Sequence, residues 1–372
     1  MIWPVAMKSG NRDPRVSNKK NEKATVKDLI NNPDYLAYKF NFNTENLEFL
    51  PIERSEIRQV SSLSRQIIDS SRQLIPVSLS ELAPLLKSPN QSLVENPPRF
   101  IFHTAFCAST FLSRCLDVDG VSVSLREPQL LLDAANAKRL QWRSKSTGLD
   151  YRGLTKLALL LLQKHAEPSE KLIIKPINSV NNIISELLQL TGSGKSLMLY
   201  TDAKKFLLST LKKGEESKYT VRAMFDLIRC DFPQLANLRL TNTIHMTDLK
   251  VILTLWRLQI EQANQALQYF SPRNQMASVY GERLIENPLQ ILRAANQFLD
   301  LGIPAGQIDD IARSDSRLND AKNIGQRFSV EGRKEAYLKV ENFYGTELEN
   351  GLRWMIQNNP GTRMNPEMSG SL

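Results

Sequence analysis

The chain has 372 residues, 41% of them hydrophobic, and a formal net charge of +9. This composition fits one large α/β domain with additions, or two domains, and no apolar run approaches the length of a membrane span. Three cysteines without a Cys-x-x-Cys pair and only three histidines argue against a zinc site, and no metal is expected. The basic balance favours polyanionic partners such as nucleic acid, an acidic surface or a phosphorylated cofactor.

Residues 1–24 are predicted to form a disordered basic tail, because they are polar and collect Lys and Arg among Ser and Asn. A solvated tail accounts for these charges more simply than contact with nucleic acid, so nucleic acid is not expected as a partner. The segment before Met7 is too short for a secretory signal, and a cytoplasmic location is expected.

Residues 25–97 are expected to form a small N-terminal α+β region. Two apolar segments flank the turn sequence Asn43-Thr-Glu-Asn46 and predict a hairpin. A helix is predicted over 56–72. Pro97-Pro98 marks the end of this region, because tandem prolines resist helix formation and donate no hydrogen bonds.

Residues 98–302 alternate strand-like and helix-like segments, as a parallel sheet with crossover helices requires. The strand-like segments are 99–103, 121–125, 171–175, 196–200 and 276–280. They are short apolar runs without strict alternation, which indicates burial on both faces. We predict a three-layer α/β domain with a mostly parallel sheet of about five strands flanked by helices. A helical C-terminal extension with a frayed end is predicted over 303–372.

The sequence Gly192-Ser-Gly-Lys-Ser196 is similar to the end of a Walker A phosphate loop. However, Gln189 stands where the Walker pattern requires its first glycine, and the stretch follows a helix and precedes a strand, which inverts the Walker order. We therefore interpret it as a helix C-cap and connector, in which Gly192 or Gly194 adopts the left-handed conformation.

The segment 99–116 carries the first candidate site. A buried strand runs through a turn of small residues into a helix, whose first N–H groups lack an intrahelical acceptor and can bind phosphate or sulfate. Cys107 and Ala108 belong to the turn, and Ser109 and Thr110 are expected to cap the helix and offer hydroxyls to an anion. Cys107 is expected to be a small inert side chain rather than a reactive thiol.

A second candidate site follows the strand at 196–200. Lys205 and Ser209 are four residues apart on a predicted helix and share a face, with Lys204 beside them. An ammonium and a hydroxyl on one face can hold a second phosphate. The alternative is an ordinary solvated helix start.

In these segments the chain resembles the sulfotransferase-like branch of the P-loop proteins, over roughly residues 98–302. The family's first loop usually reads proline, a basic residue, Ser-Gly-Thr-Thr and two apolar residues. This chain keeps Ser109, Thr110 and the apolar pair, whereas Phe106 occupies the basic position. The resemblance therefore implies a P-loop-type fold with an altered first loop.

The family's second signature, Arg-Asp-Pro-Arg-Asp-x-x-x-Ser, is matched at Asp202, conservatively at Lys204, and at Ser209. Thr201 stands at its first arginine. A third element, over 280–301, resembles part of the family's scaffold and supports the fold more than the chemistry.

The resemblance implies transfer of a sulfuryl group from 3′-phosphoadenosine 5′-phosphosulfate (PAPS) to a hydroxyl or amine. The acceptor would be a small molecule, a carbohydrate or a lipid. By the resemblance, the amides of Cys107 to Thr110 hold the 5′-phosphosulfate, and Ser209 with Lys204 or Lys205 holds the 3′-phosphate.

The resemblance extends to the Glu127-Pro128 pair after the second strand and to Lys175-Pro176 after the third. Glu127 is the first candidate for the base that takes the acceptor's proton, and His103 is the second. Lys175 or Arg126 is expected to supply the positive charge that Phe106 lacks. As alternatives, Glu127 is a structural partner of one of these cations, and His103 is a core histidine.

Two other functions stay open. A catalytically inactive, nucleotide-binding homologue is one, because loss of a comparable transition-state donor can cost about 10² to 10³ in rate. A basic nucleic-acid-associated protein is the other.

Overall fold

The computed structural model describes residues 24–64, 72–87, 93, 95–236, 246–314 and 329–372. The predicted tail lies outside the described residues except at its last position.

An antiparallel sheet of three strands lies near the N-terminus, in the order β1-β2-β3. The strands are β1 (Tyr35–Asn41), β2 (Asn46–Pro51) and β3 (Ile75–Ser78), and the helices around them are α1 (Val26–Asn31), α2 (Arg54–Gln59) and α3 (Leu79–Leu82). β1 and β2 form the predicted hairpin. Leu47 and Phe49 of β2 are fully buried, so the hairpin packs on the core by one face.

The helix predicted over 56–72 is wrong in extent. α2 ends at Gln59, and Val60 is extended with ψ 146°. Beyond it, the Ser62 hydroxyl accepts the N–H of Ser64 at 3.3 Å, a local bond that competes with helix formation. Residues 65–71 lie outside the described residues.

A second sheet contains five parallel strands in the order β5-β6-β4-β7-β8. They are β4 (Arg99–His103), β5 (Ser122–Arg126), β6 (Lys171–Lys175), β7 (Ser196–Tyr200) and β8 (Met276–Tyr280). Each predicted strand is confirmed to within one residue.

Helices cover both faces of this sheet. Along β4, Phe100 and Phe102 join one apolar core and Ile101 joins the other, because successive strand residues point to opposite faces. The helices are α4 (Ser109–Cys115), α5 (Gln129–Arg139), α6 (Tyr151–Gln163), α7 (Ile184–Thr191), α8 (Ala203–Leu211), α9 (Glu215–Ile228), α10 (Pro233–Ala236), α11 (Asp248–Phe270), α12 (Gly281–Glu286), α13 (Pro288–Leu299), α14 (Ala305–Arg313) and α15 (Val330–Asn358). The predicted three-layer α/β architecture is confirmed.

The stretch before β7 is a helix C-cap and connector, as predicted, but the left-handed helical conformation is not formed. Gly192 ends α7 with φ 61° and ψ −92°, and its N–H donates to the Gln189 carbonyl. The stretch therefore closes a helix and leads into Ser196, the first residue of β7.

The described parts of the C-terminal extension are mainly helical, as predicted, but the last residues are not frayed. α15 is kinked at Gly345, where φ is 30° and ψ is −111°. The Ser278 N–H donates to the Gly370 carbonyl at 2.9 Å, and the Leu372 N–H donates to the Ser278 carbonyl at 3.0 Å. These bonds to β8 hold the last residues against the sheet. Among the described helices, none combines the length and apolar content that crossing a bilayer requires.

Because all five strands are parallel, their carboxyl ends meet at one side of the sheet. We name this side the carboxyl edge; it begins at Thr104, Glu127, Pro176, Thr201 and Gly281 after the five strands. β4, the first strand of this sheet in chain order, lies between β6 and β7, so the chain order changes direction there. Ligands of open α/β sheets bind at the carboxyl ends of strands beside such a switch point.

Candidate functional site

The loop between β4 and α4 has a strained backbone. Ala105, Phe106 and Ala108 have φ of 65°, 53° and 60°, in the left-handed region that disfavours residues with a Cβ. Such conformations persist where the surrounding structure enforces them, and they cluster at functional sites. Within the described residues, the N–H groups of Cys107, Ala108 and Thr110 have no hydrogen-bond acceptor. The loop therefore offers backbone donors to an anion.

Ser109 and Thr110 are buried and are the first two residues of α4. The N-cap is Ala108, and no side chain caps the helix, so the predicted capping by the two hydroxyl residues is wrong. Because α4 already begins at Ser109, both hydroxyl residues lie inside the helix and neither is at the N-cap position. An uncapped start leaves N–H donors without intramolecular acceptors, next to two hydroxyl side chains.

Gly281, the first residue of α12, lies directly against the backbone of this loop. A Cβ added to Gly281 would lie 2.6 Å from the carbonyl oxygen of Cys107 and 2.9 Å from its Cα. Since both are backbone atoms, the loop approaches β8 as closely as it does only because residue 281 has no side chain. Sequence reasoning gave this glycine no role of its own.

Three buried polar atoms at the carboxyl edge have no hydrogen-bond partner within the described part of the chain. They are Oγ1 of Thr104, Oγ1 of Thr201 and Oδ1 of Asn181. Thr104 and Thr201 are 0% exposed and follow the paired strands β4 and β7. Because an unpaired buried polar group costs about 1 to 3 kcal/mol, such groups mark a position where a polar ligand would supply the missing bonds.

Two side chains fix the backbone around these atoms. The Asn181 side-chain amide donates to the His103 carbonyl at 3.1 Å. Trp256 of α11 is fully buried and donates its Nε1–H to the Thr201 carbonyl at 2.9 Å. Helix α11 thus holds the end of β7 in position. Asn181 was missed at the sequence level because it lies in a short 3-10 helix without a motif.

His103 ends β4 and is buried. Its Nδ1 accepts the N–H of Ala105 at 3.0 Å, so the neutral ring carries its proton on Nε2. A neutral His103 therefore offers a donor at Nε2, where a base would need a lone pair. Its fixed role is to brace the left-handed turn at Ala105.

Glu127 and Lys175 meet at the carboxyl ends of β5 and β6. The Lys175 Nζ donates to the Glu127 Oε1 at 2.9 Å, and the Glu127 N–H donates to the Lys175 carbonyl at 2.6 Å. Both residues are buried, and Glu127 has φ 54°, a further left-handed residue at this edge. The structure thus pairs two of the predicted site residues with each other.

The Lys175 charge also reaches the loop. Burial raises the pKa of the Cys107 thiol, and the nearby Lys175 ammonium partly opposes that rise. Cys107 is 1% exposed, so it is an inert thiol, in line with the sequence-based expectation.

Arg126 faces elsewhere, and the expectation that it supplies charge to the anion is corrected. Its guanidinium donates to the Val60 carbonyl at 2.8 Å, to the carbonyls of Ile57 and Arg58, and to Asp117 Oδ2 at 2.9 Å. A strand alternates its side chains, so Arg126 and the following Glu127 are directed differently. Arg126 joins β5 to the N-terminal region.

Arg126 belongs to a group that we name the N-terminal ion cluster. Its members are Arg54, Arg58, Asp117, Arg126 and Glu170. Glu170 is 1% exposed and pairs with both Arg54 and Arg58. Burial raises the pKa of Asp117, and the neighbouring Arg126 opposes the rise.

The second candidate site lies on α8. Asp202 is the N-cap and accepts the Lys205 N–H at 2.8 Å. The Lys205 ammonium lies 3.4 Å from Glu282 Oε2, and Arg333 of α15 pairs with the same carboxylate at 2.7 Å. The charges of Asp202, Lys205, Glu282 and Arg333 sum to zero, so this group attracts a second phosphate only weakly.

Ser209 and Lys204 both face α15. The Ser209 hydroxyl lies 2.6 Å from the Tyr337 hydroxyl, and Lys204 pairs with Glu341 at 2.8 Å. The Arg333 Nε donates to the Tyr337 hydroxyl at 3.0 Å. The predicted face of α8 therefore exists, but it contacts the C-terminal helix.

No group of three or more potential ligands for a metal ion occurs in the part of the chain that the structure describes. The polar groups of the carboxyl edge are amides, hydroxyls and one buried ion pair, which suit an oxyanion.

No protein-family model matches this chain. No curated protein sequence matches it either. Among solved structures, a sulfotransferase domain from the curacin biosynthetic pathway is similar with TM-score 0.41 and 12% identity, covering 70% of this chain and 97% of that chain. A sulfotransferase from Mycobacterium avium gives TM-score 0.37 and 12% identity over 72% of this chain and 80% of its own. A mouse sulfotransferase complexed with PAP gives TM-score 0.36 and 12% identity over 78% and 94%.

Proposed function

We propose that the chain transfers a sulfuryl group from PAPS to a hydroxyl or amine of an acceptor. The acceptor is a small molecule, a carbohydrate or a lipid. The observation that carries the proposal is the set of buried, unpartnered Thr104 and Thr201 hydroxyls beside the acceptor-free N–H groups of the loop. Together they provide hydrogen bonds suited to a phosphosulfate at the switch point of the sheet.

The donors of the first loop are assigned to the 5′ end of the cofactor. The N–H groups of Cys107, Ala108 and Thr110 bind its phosphate oxygens, and the Ser109 and Thr110 hydroxyls add further bonds. Because these donors are held by a strained backbone and by Gly281, they need no reorganisation when negative charge develops on the phosphate.

Glu127 and Lys175 are assigned to the reacting end. In the transfer, the acceptor oxygen or nitrogen bonds to sulfur, the bond from sulfur to the phosphate oxygen breaks, and its electron pair leaves with 3′-phosphoadenosine 5′-phosphate (PAP). The Glu127 carboxylate takes the acceptor's proton, and Lys175 holds that carboxylate in place at 2.9 Å. His103 is assigned the role of a hydrogen-bond donor and not of the base, since its Nδ1 already accepts the Ala105 N–H.

Ser209 is assigned to the 3′-phosphate through its remaining proton. The Arg333 Nε donates to the Tyr337 hydroxyl, which can donate in turn to Ser209. This direction leaves the Ser209 proton for a phosphate oxygen and polarises it. Lys204 and Lys205 add charge once the phosphate competes with their carboxylate partners.

A thermal-shift series with PAP, ATP and inorganic sulfate tests the proposal. We expect PAP to raise the melting temperature of the wild-type chain and ATP to leave it unchanged. Thr110→Ala and Ser209→Ala should each weaken PAP binding about tenfold, the loss expected for a hydrogen bond to a charged group. Thr220→Ala, on α9 and outside the site, is the matched control.

The possible results separate the candidate functions. If millimolar PAP, ATP and sulfate all leave the melting temperature unchanged, the anion site is refuted, and if ATP alone raises it, the cofactor is wrong. PAP binding without release of PAP from PAPS in the presence of hydroxyl and amine acceptors indicates an inactive homologue. Salt-sensitive binding of nucleic acid without PAP binding favours the nucleic-acid alternative.

A further inference from the structure

Asn181 has a buried hydrogen-bond acceptor that the proposed function leaves unused. The residue is 6% exposed and lies in the short 3-10 helix Asn178–Ile183. Its side-chain amide donates to the His103 carbonyl at 3.1 Å, whereas its Oδ1 is buried and has no hydrogen-bond partner among the residues that the structure describes. Because an unpaired buried oxygen costs stability, a ligand group that donates to it would be favoured at this position.

The hydrogen bond to His103 fixes which end of the Asn181 amide stays open. If the amide were rotated by 180°, its oxygen would face the carbonyl oxygen of His103, and two acceptors would be in contact. The open end is therefore the oxygen, which accepts hydrogen bonds and cannot donate them. The ionised oxygens of a phosphosulfate are also acceptors, so the group that completes Asn181 carries an N–H or O–H.

Asn181 lies between the two parts of the carboxyl edge to which the chemistry is assigned. Its 3-10 helix follows β6, which ends at Lys175 beside Glu127. Its amide bonds to His103, the last residue of β4, and β4 leads into the loop before α4. Since β6 separates β5 from β4 in the sheet, an acceptor that extends from Glu127 to a sulfuryl group at the loop is expected to contact Asn181.

The nucleophilic atom of the acceptor then has two proton acceptors. Glu127 takes one proton during the transfer, and Asn181 Oδ1 requires a second. A hydroxyl oxygen carries one proton and satisfies one of these groups, whereas the nitrogen of a neutral primary amine carries two and satisfies both. We propose that the acceptor is a primary amine and that Asn181 determines this specificity by accepting the proton that is not transferred. This inference rests on the proposed function.

The atoms of the transfer balance as follows from these two contacts. The amine nitrogen bonds to sulfur, the bond from sulfur to the phosphate oxygen breaks, and its electron pair leaves with PAP. One N–H proton passes to the Glu127 carboxylate. The other stays on the nitrogen, bonded to Asn181 Oδ1, and the product is a sulfamate. A hydroxyl acceptor would leave Oδ1 unpaired, and sites that hydrogen-bond a substrate group disfavour analogues that lack it.

Sulfuryl transfer from PAPS to three matched pairs of acceptors tests the inference: hexylamine and hexanol, glucosamine and glucose, aniline and phenol. Amines and hydroxyls differ in intrinsic reactivity, so the decisive quantity is the change in the amine-to-hydroxyl ratio of kcat/KM on substitution. We expect Asn181→Leu to lower this ratio about tenfold, the loss of one hydrogen bond that only the amine makes. Melting without ligand checks the fold, and Asn181→Ala is measured beside Asn181→Leu as a smaller replacement.

Asn182→Leu is the matched control. The Asn182 amide donates to the Ala135 carbonyl at 3.2 Å and to Asp231 at 3.1 Å, and its Oδ1 is likewise buried without a partner in the described part of the chain. Asn182 therefore resembles Asn181 in chemistry but bonds to other elements, and its substitution should change the ratio less than about twofold.

Calorimetric titration of PAP separates specificity from a structural role. We expect Asn181→Leu to keep the PAP affinity within about twofold, because Asn181 is assigned to the acceptor. A displaced end of β4 would weaken PAP binding instead, since Thr104 and the loop follow His103 directly.

An unchanged ratio in Asn181→Leu, an equal fall in Asn182→Leu, or a loss of PAP affinity in Asn181→Leu overturns the inference. Transfer by wild type to the hydroxyls alone overturns it as well. If wild type transfers to none of the six acceptors, the failure belongs to the proposed function, and the inference falls with it.

Discussion

The N-terminal ion cluster and the carboxyl edge are both buried polar regions, but the Arg126 guanidinium of the first and the threonine hydroxyls of the second differ in how their hydrogen bonds are completed. In the cluster, the Arg126 guanidinium donates to three carbonyls and one carboxylate. At the edge, the hydroxyls of Thr104 and Thr201 are buried without a partner among the described residues. The backbone differs too, since Ala105, Phe106 and Glu127 have left-handed φ at the edge.

The comparison shows how a buried polar group can be assigned a role. A group whose bonds are completed by the chain stabilises the fold, because breaking those bonds would leave a desolvated charge. A group whose bonds are left open costs stability and is retained where a ligand can complete them.

The largest expected effect is the loss of Arg126. Arg126→Met should lower the free energy of unfolding by about 3 to 5 kcal/mol, because Asp117 would stay buried without its partner. Urea unfolding measures the change, and the double variant Arg126→Met with Asp117→Leu should recover part of it. A normal unfolding free energy with lost PAP binding would instead place Arg126 in the site.

The free energy of unfolding is also expected to depend on pH through Asp133 of α5. Burial raises the pKa of Asp133 to about 6, although the Gln129 amide and the Phe40 N–H donate to its carboxylate. The folded state therefore binds this proton more tightly than the unfolded state, and the contribution of Asp133 to stability falls as the pH rises from about 4 to 6. Asp133→Asn should raise the unfolding free energy by about 2 to 3 kcal/mol at pH 7.5.

At pH 3 the same Asp133→Asn substitution should have little effect on the unfolding free energy, because the carboxyl group is then largely protonated in both states. Urea unfolding at the two pH values provides the measurement. An equal gain at both values would show that the charge of Asp133 is not the cause.

A substitution at Gly281 tests the packing of the carboxyl edge without changing its polar side chains. Gly281→Ala should lower the free energy of unfolding by about 1 to 3 kcal/mol through overpacking against the Cys107 backbone. It should also weaken PAP binding under conditions in which the variant is still folded. Gly306→Ala is the control, because its Cβ would meet no atom within 4 Å. Thermal melting and PAP titration are the measurements, and full binding by Gly281→Ala would contradict the account of the loop.

The unpartnered hydroxyls predict effects of opposite sign on stability and binding. Thr104→Val and Thr201→Val keep the side-chain shape and remove a buried unpaired group, so each should raise the unfolding free energy by about 1 kcal/mol. The same variants should bind PAP less tightly. A loss of stability would show that each hydroxyl already serves the fold.

The smallest expected effect comes from relieving the loop strain. Ala108→Gly should stabilise the chain by about 0.5 to 1 kcal/mol, because glycine adopts φ 60° without a Cβ penalty. Ala134→Gly, inside α5, should destabilise by about 1 to 2 kcal/mol, because it adds backbone freedom and removes a buried methyl group. Thermal melting of both variants gives the two signs, and a destabilised Ala108→Gly would contradict the strain argument.

Much of the fold could be predicted because the strands are short apolar runs that are buried on both faces. Segment 171–175, for example, predicted β6 without error. The helix predicted over 56–72 was wrong in extent because the chain is extended at Val60 and the Ser62 hydroxyl then accepts the Ser64 N–H, an effect that apolar spacing does not reveal.

The candidate site could be predicted only as far as strand order allows. Glu127 and Lys175 stand at strand ends, so their meeting follows from a parallel sheet. The carbonyl partners of Arg126 lie more than sixty residues earlier in the chain, and Phe106 contacts Lys213, which lies just beyond the end of α8. Such contacts depend on tertiary packing, which a single sequence pattern does not encode.

The bond from Trp256 to the Thr201 carbonyl has a practical consequence. The indole is fully buried, and it is bonded to the backbone of Thr201, whose hydroxyl is assigned to the bound anion. Its fluorescence should report occupancy of the pocket without any added label. A Trp256→Phe protein would supply the optical blank, so that ligand affinity could be followed in the unmodified chain by emission alone.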